Sequence, residues 1–181
     1  MKPLRQGKLD SLCGIYAVIN ALQWCVLFND AHRRELFSIM VKKLEGERYL
    51  SKALTGGTYK KHVNRMLDST VPFIQKHWKK EVVAERVFTS PPSDIRAYWK
   101  GIQDFMEEED AYKRVVLIGL DGKHRHWTCI KHASAKRFTL YDSGELKHID
   151  RKRCTLGATV SKPHLLDANE VWGIRLTSME R

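Results

Sequence analysis

The sequence has little cysteine, four residues in 181, and Cys13, Cys25, Cys129 and Cys154 form neither a CxxC pair nor a clustered metal-ligand spacing. A disulfide framework and a zinc site are therefore not expected, no metal or other cofactor is expected, and a reducing compartment is the simpler setting. Nor is there a run of about 18 apolar residues or a secretory signal pattern, so no transmembrane segment is expected. The expected location is cytoplasmic, or reached through a specialised secretion system that needs no cleaved signal. Acidic residues are scarce, 21 against 32 Lys and Arg, which gives a net charge of +11. The excess is uneven: residues 31–80 hold twelve basic side chains against four acidic, and residues 123–153 nine against three. Such a field attracts acidic proteins, nucleic acid or anionic membrane. However, no helix-turn-helix, RNP or zinc-finger motif accompanies it, which favours a solvated basic surface over nucleic-acid recognition.

The most informative stretch is Asp10-Ser11-Leu12-Cys13-Gly14-Ile15-Tyr16-Ala17-Val18-Ile19-Asn20-Ala21-Leu22. Asp10 and Ser11 are good N-cap types before an apolar run, so Cys13 is expected in the first turn of a helix. Unpaired N–H groups and the positive end of the helix dipole stabilise a thiolate there and can also hold an oxyanion. The competing reading of Cys13 is a small buried hydrophobe, the common fate of a free cysteine.

Two later segments supply what a nucleophilic cysteine needs. Val115 to Leu120, the turn Asp121-Gly122, and a second apolar run from His126 to Ile130 read as a hairpin. Arg137-Phe138-Thr139-Leu140-Tyr141-Asp142 reads as another strand, ending in an acid and followed by a turn at Ser143-Gly144. Counting back from Asp142 across a turn centred near Ser134 reaches His126, so the two are expected as cross-strand neighbours. A carboxylate beside a histidine fixes its tautomer and stabilises imidazolium, while the other ring nitrogen takes the thiol proton. His124 competes for the role, because residues two apart on a strand face the same side.

The pattern of Gln6, Cys13-Gly14, His126-Trp127 and Leu140-Tyr141-Asp142-Ser143-Gly144 resembles the papain-like cysteine peptidase superfamily, especially its compact bacterial branches such as bacteriocin-processing peptidase domains and secreted effector proteases. The resemblance implies Cys13 as nucleophile, His126 as general base and acid, Asp142 as orienting residue and Gln6 as side-chain donor to the oxyanion. Tyr16 fills the aromatic place after the nucleophile, and Asp142 stands where the larger members carry Asn. The implied fold is α+β, papain-like, with an N-terminal helical part whose nucleophile helix packs on a C-terminal antiparallel sheet.

A hydrophobic content of 43% suffices for a single core, hence one domain over residues 1–181. The first helix is expected to continue through Gln23-Trp24-Cys25, and a second to span residues 30–45. A third stretch at 58–69 is expected to end or kink at Pro72, with residues 73–79 able to resume it. Gly56-Gly57 marks a loop. Glu81 to Phe88 reads as a strand. A helix bearing Ile95, Tyr98, Trp99, Ile102, Phe105 and Met106 presents an aromatic stripe for the core. The acids of 107–110 at its end oppose the dipole and suggest fraying or a partner contact. Strands near 114–120, 126–132, 137–142, 146–149 and 170–176 complete the list. The last is expected to close the sheet, and residues 151–160 to form a loop flanking the cleft.

The expected activity is cysteine-dependent hydrolysis of a peptide or isopeptide bond, with a protein or peptide substrate, an acidic one being compatible with the charge. Glutamine deamidation or acyl transfer uses the same triad. A non-catalytic basic module holding an acidic protein or nucleic acid is the reading from another class.

Overall fold

The computed structural model describes residues 2–7, 9–109, 113–122, 124–157 and 162–178. Its helices are α1 (Cys13–Cys25), α2 (Asp30–Gly46), α3 (Leu50–Gly56), α4 (Lys60–Trp78) and α5 (Ile95–Glu107). The strands are β1 (Glu81–Arg86), β2 (Lys113–Gly122), β3 (His126–Ala133), β4 (Arg137–Leu140), β5 (His148–Asp150), β6 (Cys154–Leu156) and β7 (His164–Ser178). The seven strands form one sheet in the order β1-β7-β2-β3-β4-β5, antiparallel throughout that path, with β6 added parallel to β7. The fold is thus mixed α+β, helices first. Among the described residues no helix is long and apolar enough to cross a membrane.

Successive residues of a strand face opposite sides, and β2 uses both. Val115 and Leu117 join a core with α1, α2 and α4, whereas Val116, Ile118 and Leu120 join a second core with Tyr98, Trp99, Ile102 and Phe105 of α5. The sheet therefore lies between two helical layers, which is why β2 reads as a continuous apolar run. The aromatic stripe of α5 is core, with Trp99 stacked on Phe138 of β4. In α1 every residue except Tyr16 and Trp24 is buried. The two polar members that this encloses, Asn20 and Gln23, bind the extended chain ahead of the helix. Asn20 exchanges hydrogen bonds with the N–H and C=O of Leu4, and Gln23 donates to Lys2 O and to the Tyr141 hydroxyl. Residues 2–7 are thereby strapped across the helix toward the turn after β4.

Several expectations require correction. Pro72 does not end α4; the helix runs through it to Trp78, over the residues expected to resume it. Pro72 and Asp68 are both exposed, so the carbonyl that the missing N–H leaves unpaired faces water. Strand β7 does not close the sheet but runs between β1 and β2, because Glu81–Arg86 pairs with it on the far side. Residues 151–157 are not an irregular loop beside the Cys13 cleft. They form a 3-10 turn and then β6 on the first residues of β7, while residues 158–161 lie outside the described residues. Helix α3, which no apolar periodicity marked, occupies residues 50–56. Finally, the acids after α5 gain a partner: Arg114 Nη1 lies 3.0 Å from Glu108 Oε2, and its Nε donates to Glu108 O at 3.1 Å. Asp110 lies outside the described residues.

Candidate active site

Cys13 is the first residue of α1, as expected, but the helix begins without the expected cap. The N-cap position is Leu12 and no side chain caps the amides there. Asp10 instead turns the chain one step earlier, its Oδ1 accepting from Leu12 N at 2.9 Å. Ser11 ties the entry of α1 to the end of α3 through Ser11 N to Leu54 O at 2.9 Å. Gly14 follows the cysteine because the neighbouring turn leaves no room for a side chain: a Cβ there would collide with Thr58. Thr58 is in turn fixed by Trp127, whose Nε1 donates to its carbonyl at 2.8 Å. The residue after His126 therefore anchors the loop that walls the cysteine.

His126 opens β3 and Asp142 lies just past β4. The β3–β4 register pairs Ile130 with Leu140 and carries an irregularity toward His132, so extrapolating it sets Asp142 opposite Thr128, not His126. The expected cross-strand pairing is thus off by two residues, because the turn closes between Ser134 and Arg137, later than a turn centred on Ser134, and the irregularity recovers only one residue of that offset. The contact forms diagonally instead, within reach of longer side chains. His126 Nε2 lies 2.6 Å from Asp142 Oδ1. The other carboxylate oxygen accepts from Gly144 N at 2.8 Å and Leu146 N at 3.2 Å. With Nε2 on Asp142, Nδ1 is the nitrogen left for Cys13, which lines the same cleft and raises this imidazole.

These contacts set the charges. Burial pushes the His126 imidazole down, but its hydrogen bonds to Asp142 and Cys13 and the negative charge they carry prevail and raise it to about 9. Burial works to raise the Asp142 carboxyl; the hydrogen bond and charge of His126 and the Gly144 N–H hold it below the usual value. The other thiols are silenced by burial: Cys25 and Cys154 are pushed up to about 12, and Cys129 well above its ordinary value.

His124 is not in this constellation. Arg125 adopts φ 40°, which breaks the strand alternation, and the His124 ring stacks on His164 at 4.9 Å. Gln6 lies between the two halves of the site. Its backbone N–H donates to Ser143 O at 3.0 Å, and its side-chain Nε2 to Asp10 O at 2.5 Å. Beside Cys13 and His126 opens a cleft of about 330 Å³ whose other walls are the 56–59 turn, the end of β2 with Asp121, Arg125, and Glu170 of β7. The sequence reading missed these walls. Gly56-Gly57 signalled the turn, and Asp167-Ala168-Asn169 interrupting a β run signalled an irregularity near Glu170. Among the described residues, no group of three or more His, Cys, Asp or Glu could hold a metal ion. Comparisons with protein-family models, curated proteins and solved structures return no match.

Proposed function

We propose that the chain is a papain-like cysteine hydrolase that cleaves a peptide or isopeptide bond through an acyl-enzyme. The observation that carries this reading is His126 bonded to a buried, doubly braced Asp142, with Cys13 beside it in the same cleft. An imidazole raised to about 9 is protonated at neutral pH, which suits a thiolate–imidazolium pair. The Cys13 sulfur attacks the carbonyl carbon, and the carbonyl oxygen takes the negative charge. The uncapped start of α1 turns its amides toward that charge, and the second N–H of the Gln6 side-chain amide is a further donor. His126 then gives its proton to the leaving amine as the C–N bond breaks. In the second half His126 takes a proton from water, hydroxide adds to the thioester, and Cys13 leaves as thiolate with the acid product.

The test is the pH dependence of iodoacetamide alkylation at Cys13, read by mass spectrometry in the parent and in His126→Ala. A thiolate that appears well below the free cysteine value of about 8.5 and depends on His126 is the expected result. Alkylation that follows an ordinary thiol, or a Cys13 inert in the folded protein, overturns the reading and favours a binding module.

A further inference from the structure

Strand β7 does not run smoothly beside β2. Ile118 pairs with Val171, yet Leu120 pairs with Leu166, so residues 167–170 have no β2 counterparts and bulge out of the ladder. The bulge is braced: Asn169 donates through its backbone N and its Nδ2 to Asp167 Oδ1 at 2.7 and 3.0 Å, and Arg86 donates to the Asn169 carbonyl. Bulges re-aim side chains. This one lays Glu170 back over β2 at the one residue able to receive it, since any Cβ on Gly119 would collide with the Glu170 carboxylate. Glu170 thereby becomes a wall of the Cys13 cleft, with Asp121 beside it. Neither carboxylate has an ion-pair partner among the described residues. Burial and the charges of Asp121 and Asp167 raise Glu170 to about 7, against the weaker pull of Lys60 and Arg86. A second unsatisfied group lines the same cleft: Thr58 is only 7% exposed and its hydroxyl has no hydrogen-bond partner among the described residues.

We infer that Glu170, seconded by Asp121, is a specificity residue that takes a cationic side chain of the substrate beside the scissile bond, with the Thr58 hydroxyl available to a substrate polar group. The inference rests on Cys13 being the nucleophile, and it runs against the net charge of +11, which by itself favours anionic ligands. Cation preference in the cleft would therefore be local. Arg125, which lines the same cleft, limits its size.

Methanethiosulfonates of matched size carrying trimethylammonium or sulfonate, with the neutral methyl reagent, read the cleft directly through their rates at Cys13. Rates are measured at about pH 8.5, above the Glu170 titration, and normalised to a free small thiol. The cationic reagent is expected to exceed the anionic one by roughly threefold, less than the ~10-fold or more that a cleft of one sign produces, because Arg125 and the His126 imidazolium line it too. In Glu170→Gln that ratio should fall toward or below one, while a lysyl peptidyl ketone loses its advantage over the isosteric norleucyl one. A ratio at or below one in the parent, or a parental ratio retained in Glu170→Gln, overturns the inference. If the neutral reagent reacts no faster at Cys13 than at a free thiol and the rate ignores His126→Ala, the nucleophile itself fails. That outcome is distinct from a reactive Cys13 without charge preference, which sinks only the subsite.

Discussion

Asp142 is held by three hydrogen bonds, only one of which goes to His126. Its carboxylate is thus positioned by the turn and in turn positions the imidazole. Replacing it leaves the Cys13–His126 pair in the cleft, poorly oriented, whereas replacing Cys13 removes the attacking atom. Turnover of a peptide substrate at saturation should accordingly fall further in Cys13→Ala than in Asp142→Ala, by roughly tens of fold. Equal losses would contradict that ordering. The remaining thiols sharpen a second expectation. Buried Cys25, Cys129 and Cys154 are shifted up, so brief alkylation near neutral pH should label Cys13 alone, and peptide mapping checks it. At this scale the sequence was most legible where residue type carries chemistry: Cys13, His126 and Asp142 do meet. It was less so where geometry depends on where a turn closes or a backbone angle changes sign. The β3–β4 turn closes between Ser134 and Arg137, later than its sequence suggested, which moved the register by two residues, and the positive φ of Arg125 took His124 out of the strand alternation that made it a competitor.

Among the elements, α1 and the 56–59 turn are interlocked through Gly14. Adding a methyl group there forces Thr58 away, with a cost of about 1–3 kcal/mol expected for overpacking. Gly14→Ala should lower the unfolding free energy by that amount, read from the fall in the urea midpoint, and it should slow Cys13 labelling because the cleft wall moves. Unchanged labelling would show that the turn does not shape the cleft. Periodicity placed the long helices and the central strands, since an apolar stripe such as that of α5 leaves little choice. It could not reveal α3, whose only buried residue is Ala53, or β6, three residues long. Short elements of that kind are held by their neighbours, not by their own pattern. The continuity of α4 through Pro72 likewise depends on which face meets water, and one sequence does not display that.

For the molecule as a whole, the two most strongly shifted cleft groups act on stability in the same direction. The folded value of His126, about 9, exceeds its ordinary 6.5, so its contribution is complete below 6.5 and lost as pH rises through about 9. Glu170 also binds its proton more tightly when folded, and its contribution declines between its ordinary 4.5 and about 7. Carboxylates such as Asp142, lowered on folding, oppose both only toward acid. His164, lowered to about 4 by burial, works the other way between about 4 and 6.5 and offsets Glu170 there, so the thermal midpoint should decline only from near neutral to alkaline pH. Glu170→Gln should remove that offset, so that the midpoint climbs as pH rises toward 6.5, and should raise the midpoint above about pH 7, because a neutral amide has no buried charge to desolvate. A midpoint below the parent's at alkaline pH in this variant would mean that Glu170 holds the bulge together.

Helix α1 lies enclosed between the sheet and the other N-terminal helices. Proteins open in cooperative units whose free energies range from nearly zero at loose edges to the full unfolding energy at the centre. The residues of α1 from Ile15 to Leu22 are expected to belong to the innermost unit, Tyr16 alone among them being only partly buried. Amide exchange along Ile15 to Leu22 should report the global unfolding energy, and Cys13 should lose its distinctive reactivity at the same urea concentration at which those amides lose protection.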